Sequence, residues 1–149
     1  MSCYRHIVCG VDFSAHADQA FAVAAEQARR DQARLSLVYV LVPGLPLLPG
    51  GDPREPRRLS DQEIRQRLEA AIVERYLCRA PDLHPELELR RGHPSIEILN
   101  FLKASGADLM VMGSHGLSGV GLVLLGSVAE RVSRRAPCSC LMVRLPQPA

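Results

Sequence analysis

Apolar and polar positions along the chain follow two rhythms, short unbroken apolar runs and longer stretches at helical spacing. His6 to Val11 is an apolar run ending at Asp12, which predicts a buried strand. Ser14 then stands as N-cap of a helix whose inner face is Ala17, Phe21, Ala24 and Ala28, with Ala20 beside them. Leu35 to Val42 is apolar on both faces, as a central parallel strand should be. Ser60-Asp61-Gln62-Glu63 is a capping box opening a second helix, with Ile64, Leu68, Ala71, Ile72 and Tyr76 as its apolar stripe.

Glu86-Leu87-Glu88-Leu89-Arg90 alternates with period two, which predicts an edge strand with one wet face. Pro94 and Ser95 start a third helix with Ile98, Leu99 and Leu102 inward, and Gly106 ends it. Asp108 to Met112 is a fourth strand. Ser127-Val128-Ala129-Glu130 reads as a second capping box and sets the start of a fourth helix at Ser127. Arg134 and Arg135 suit its last turn, Pro137 stops it, and Ser139 to Leu145 is a fifth strand.

Strands alternating with helices predict an α/β fold: an open five-stranded parallel sheet with helices on both faces, Rossmann-like. Such sheets bind ligands beyond the carboxyl ends of their strands, where the strand order reverses. The loops Asp12 to Ser14 and Gly113 to Ser127 converge only if strands one and four are neighbours. That requires the order 3-2-1-4-5, which also leaves the half-polar third strand at an edge.

The 149 residues fit a single domain, 1–149. Residues 43–59 interrupt it with Pro43, Pro46, Pro49, Pro53 and Pro56 among Gly44, Gly50 and Gly51, and read as a mobile loop. Arg54, Arg57 and Arg58 in that loop read as a solvated linker. No apolar run is long enough to span a membrane, and the opening residues lack a secretory signal, so a soluble cytoplasmic chain is expected. A net charge of +2 and 4% aromatic residues argue against nucleic acid as a partner. Of the 18 cationic side chains only Lys103 is a lysine, and no phosphate-binding motif surrounds it. Cys3, Cys9, Cys78, Cys138 and Cys140 are expected to be reduced thiols, mostly small core residues. Cys138 and Cys140 share a face of the fifth strand, but one intervening residue does not match zinc spacing, and no metal site is expected.

Met112 to Ser127 is the segment that carries chemistry. It leaves a strand, runs through Gly113, Gly116, Gly119, Gly121 and Gly126, and enters a helix. Glycines let backbone N–H groups approach phosphate oxygens, and the helix start adds further donors and a positive dipole end. No Walker A sequence occurs. Gly119 to Leu124 lacks the third glycine of the dinucleotide fingerprint, and Gly116 to Val120 fails the nucleophile-elbow pattern at its last position.

Gly113-x2-Gly116-x9-Gly126-Ser127 resembles the nucleotide-binding signature of the universal stress protein family. Ile7 to Ser14, Asp108 to Gly113, Leu124 to Val132 and Ala136-Pro137-Cys138 resemble its opening, fourth-strand and closing blocks, so the likeness spans essentially the whole chain. The resemblance implies a small cytoplasmic stress-response protein, often dimeric, whose ATP-binding members hold the nucleotide, with or without Mg²⁺, and turn it over little. By position it implies Asp12 on the ribose or adenine side, Val40 meeting adenine through its backbone, and Gly113, His115, Gly116, Gly126, Ser127 and Val128 around the phosphates. Ser14 and Met112, which bound the two loops, complete the candidate set. Leu117 stands where ATP-binding members often carry a basic residue. The resemblance also implies a homodimer paired through strand 139–145, and no catalytic residue is assigned. Two alternatives are a slow ATP hydrolase, with Asp12 or His115 as the available groups, and a dimeric interaction protein holding no nucleotide.

Overall fold

The computed structural model describes residues 3–44, 59–116 and 125–146. Its elements in chain order are β1 (His6–Gly10), α1 (Ala15–Asp31), β2 (Arg34–Leu41), α2 (Asp61–Arg75), two short 3₁₀ turns (Leu77–Arg79 and Pro81–Leu83), β3 (Glu86–Arg91), α3 (Pro94–Ser105), β4 (Leu109–Gly113), α4 (Ser127–Arg135) and β5 (Ser139–Val143). The sheet has the order β3-β2-β1-β4-β5, and every pairing is parallel. The expected α/β architecture and strand order are therefore observed. Most of the loop 43–59, Arg54, Arg57 and Arg58 included, lies outside the described residues, as do Leu117, Gly119 and Gly121.

Alternation along the central strands splits the core in two. Ile7 and Cys9 of β1, Leu35, Leu37 and Tyr39 of β2, and Leu109 and Val111 of β4 pack with α1 and α2. Val8, Val38, Met110 and Met112 point the other way and pack with α3 and α4. Each face thus carries two helices. The inner stripe of α1 (Ala17, Ala20, Phe21, Ala24, Ala28) is buried as its spacing requires, and small alanines let the helix lie close to the sheet. In α2, Leu68, Ile72 and the cap residue Tyr76 are buried, and Tyr76 is fully enclosed. On edge strand β3, Leu87 and Leu89 lean on the α1/α2 core, and the polar alternates Glu88 and Arg90 pair with each other.

Two expectations are corrected. The N-cap of α4 is Gly126, not Ser127, which is the first helical residue. Glu130 N–H donates to the Gly126 carbonyl at 2.8 Å, and Gly126 has no side chain with which to cap the helix. The Ser-x-x-Glu pattern is therefore displaced by one position, because a tertiary hydrogen bond holds Gly126 (below). The cysteines are less uniformly internal than expected. Cys9 is buried and Cys138 and Cys140 are half-buried against the α3/α4 core, but Cys3 and Cys78 are exposed, and all five are free. Among the described residues no helix is long and apolar enough to cross a membrane.

Candidate functional site

The carboxyl ends of β1 and β4 lie side by side, because these strands pair directly. Beyond β1, Val11 N–H still donates to the Val38 carbonyl at 3.0 Å, so the chain leaves the sheet only at Asp12. Asp12 Oδ1 accepts the Ser14 N–H at 2.9 Å, folding a tight turn over Phe13. Ser14 Oγ accepts the Ala17 N–H at 3.1 Å and caps α1, as its position predicts. Phe13, at the apex, has φ +66°, a conformation rare for a bulky residue. Its N–H donates to the Tyr76 hydroxyl at 3.1 Å, and its ring lies 5.4 Å from Tyr39 and 6.1 Å from Tyr76 between centroids.

Beyond β4, Gly113 is pressed against the first turn of α1. A Cβ there would meet His16 Cβ at 2.7 Å and the His16 carbonyl carbon at 3.0 Å. Ser114 N–H donates to the Val143 carbonyl at 2.8 Å, which carries the pairing with β5 one residue past the strand. The Ser114 side chain is buried and shares a hydrogen bond with His115 Nδ1 at 3.0 Å. The His115 ring lies 5.2 Å from that of His16 across the gap between the loops. A Cβ on Gly116 would stand 2.8 Å from Asp12 Oδ2, so the second loop passes directly over the carboxylate of the first.

The chain returns at Gly126, whose N–H donates to the Ser114 carbonyl at 2.7 Å. A Cβ on Gly126 would lie 3.1 Å from that same carbonyl oxygen and 3.4 Å from His115 Cα. Ser127 is exposed at the start of α4, and Val128 is half-buried against the α3/α4 core. The structure thus joins Asp12, Ser14, Gly113, His115, Gly116 and Gly126 through direct contacts, with Ser127 and Val128 following in the chain. Val40 and Met112 sit apart from these contacts. They lie near the carboxyl ends of β2 and β4, the two strands flanking β1, on the α3/α4 side.

Main-chain groups dominate this arrangement. Three glycines allow approaches that a side chain would obstruct, and the N-cap of α4 is a glycine with no side chain to cap it. Such a surface suits an anionic group held by N–H donors. Asp12 adds a half-buried carboxylate suited to accepting hydrogen bonds from hydroxyls. Its negative charge, after burial, contributes to holding the Tyr39 hydroxyl above its ordinary pKa. Cys9, beneath the turn, is driven well above the usual thiol range by burial and then by Asp12, so it is no nucleophile. Among the described residues no group of three or more His, Cys, Asp or Glu side chains could hold a metal ion.

Phe13, His16, Ser114 and Tyr76 shape the site but were not among the candidates from sequence. Tyr76 carried a partial signal, since a tyrosine in an apolar stripe must find a partner for its hydroxyl. Nothing in the sequence pointed to Phe13 N–H as that partner.

Comparison with known proteins matches residues 3–144 to the model of the universal stress protein family. A universal stress protein of Thermus aquaticus is 35% identical over 143 residues, covering 95% of this chain and 99% of the relative. The structure of universal stress protein UspA from Lactobacillus plantarum superposes with a TM-score of 0.74 at 26% identity, covering 97% of this chain and 100% of that one. A universal stress protein solved in complex with cAMP superposes with a TM-score of 0.68, also at 26% identity, over 95% of this chain and 98% of that one.

Proposed function

The chain belongs to the universal stress protein family, and from that premise we propose that it binds ATP or a related adenine nucleotide between the β1 and β4 loops. The observation that carries this reading is the close seating of Gly113, Gly116 and Gly126 against His16, Asp12 and Ser114, where the backbone of the β4 loop approaches its neighbours with no side chain of its own between them. The cAMP complex of a relative supports an adenine ligand of this kind. In this reading Gly113, His115, Gly116, Gly126, Ser127 and Val128 surround the phosphates. Asp12 accepts from the ribose hydroxyls or the adenine side, and Val40 offers backbone groups to the base.

The module acts as a sensor in stress response, with little turnover. Asp12 is the carboxylate that the fold brings to the cradle, and one of its oxygens is already committed to the Ser14 N–H. A hydrolase would need a base free to take a proton from water, or carboxylates grouped to hold Mg²⁺. The chain pairs with a second copy along β5, the outer strand opposite β3, where Leu141 is exposed.

The deciding experiment is mass spectrometry of small molecules released from gently purified protein, followed by calorimetric titration with ATP and cAMP. The reading expects an adenine nucleotide in the first and saturable binding, lost in Asp12→Ala, in the second. Absence of both overturns it.

A further inference from the structure

Tyr76 ends α2, far in sequence from both loops, yet its hydroxyl is the acceptor for the N–H of Phe13 at 3.1 Å. Phe13 is the one residue of the β1–α1 turn with positive φ, at +66°, and its side chain is buried. A phenylalanine does not hold that conformation unaided, so the surroundings must impose it. Four contacts do so, all from α2, its cap residue or the sheet beneath. The Tyr76 hydroxyl takes the N–H, the rings of Tyr39 and Tyr76 flank the Phe13 ring, and the Arg75 guanidinium lies 5.8 Å from its centroid. Arg75 is itself fixed by two 2.8 Å hydrogen bonds to Asp18 in the first turn of α1.

The imposed residue lies inside the Asp12 turn. The bond from Ser14 N–H to Asp12 Oδ1 spans Phe13, and Asp12 Oδ2 faces Gly116. Rotating the Phe13 backbone toward ordinary φ values would open that span and carry the carboxylate away from the β4 loop. We infer that Tyr76 is a positioning residue for the nucleotide site, whose hydroxyl holds the Phe13 turn and thereby aims Asp12 at the bound ligand. The inference rests on the nucleotide-binding reading and adds to it a residue on a helix outside both loops.

The test is a double-mutant cycle of Tyr76→Phe and Asp12→Asn. Each protein is titrated by calorimetry with ATP and with 2′,3′-dideoxy-ATP, which lacks the ribose hydroxyls. Tyr76→Phe keeps the ring and removes the hydroxyl, leaving the Phe13 N–H without its buried partner and Asp18 without the hydrogen bond it accepts from that hydroxyl. ATP affinity is expected to fall about tenfold and the preference for ATP over the dideoxy analogue to shrink with it. In the Asp12→Asn background the same substitution is expected to change little, because the group it positions is already altered. Backbone amide exchange at Phe13, slow in the parent, is expected to quicken in Tyr76→Phe.

Affinity and preference unchanged in Tyr76→Phe would overturn the inference. So would losses that simply multiply in the double variant, since Tyr76 would then act independently of Asp12. Should Tyr76→Phe not fold, Asp18→Asn releases Arg75 from the same clamp, with an expected loss of about two- to threefold, and no loss there would equally overturn it. If the parent protein binds neither nucleotide, the functional reading itself fails, and this inference with it.

Discussion

The α-carbon of Gly116 faces the carboxylate of Asp12 so closely that an added methyl would stand 2.8 Å from Oδ2. Among the described residues no backbone atom opposes that methyl, and the cost there falls on a single side chain. Gly116→Ala is therefore expected to swing Asp12 away while sparing the fold. Nucleotide affinity should drop by about tenfold with Tm nearly unchanged, as one modestly overpacked contact would give. Calorimetry and thermal melting on the same sample check both halves. A large fall in Tm would contradict it.

Gly113 presents the opposite case. Its added methyl would meet His16 Cβ at 2.7 Å and the main chain of α1 at 3.0 Å, so a helix rather than a side chain must give way. Gly113→Ala should destabilise the protein by about 1–3 kcal/mol. Urea denaturation would measure this. A midpoint equal to that of the parent would show that α1 can lift off β4 freely.

Gly126 touches the other end of the same turn. Its N–H holds the Ser114 carbonyl at 2.7 Å, and a Cβ would stand 3.1 Å from that oxygen. Gly126→Val should abolish detectable ATP binding while circular dichroism still reports the native helix content, because a branched residue pushes the Ser114–Gly116 backbone out of place. Unchanged affinity by calorimetry would count against the phosphate-loop assignment.

At the opposite end of the sheet, His6 is buried with its Nε2 2.8 Å from Ser36 Oγ. Burial, and then the charge of Arg34, hold its pKa below the ordinary value of about 6.5. The unfolded chain thus takes up this proton at a higher pH than the folded one. Stability from this site is present above about pH 6.5 and declines as pH falls below that value. Denaturation midpoints between pH 7.5 and pH 5 should fall for the parent and fall less for His6→Gln. Equal slopes for the two proteins would remove His6 as the source.

The thiols divide by exposure. Cys3 and Cys78 are exposed, and Cys9 is buried. Burial pushes Cys138 up to about 11 and raises Cys140 as well. Alkylation of the native protein at pH 8 should modify Cys3 and Cys78 rapidly and the other three slowly. After denaturation all five cysteines should react. Peptide mapping distinguishes the sites, and rapid labelling of Cys138 in the native protein would contradict the assignment.

Strand order was readable because two loops with ligand-binding character had to meet, and the alternation of Glu86 to Arg90 placed β3 at an edge. The local spacing of Gly113, Gly116 and Gly126 singled out the positions that the structure packs closely against His16, Asp12 and Ser114. The start of α4 was not. Ser127-Val128-Ala129-Glu130 carries the local signature of a cap, but the hydrogen bond from Gly126 to Ser114, more than ten residues back, decides where the helix begins. The turn at Phe13 was also hidden. Glycine or asparagine would have announced a positive φ, whereas phenylalanine adopts it only because α2 compels it. Both misses arise from contacts between segments distant in sequence, which no local window contains.

Ser114 is stitched on both sides. Its N–H is spent on Val143 in the outermost strand, and its carbonyl receives the N–H of Gly126. The rim of the sheet and the mouth of the crevice therefore share one residue's backbone. The border strand cannot slide along its axis without tugging the glycine that ushers the chain into α4, so whatever grips that border also has a hand on the crevice.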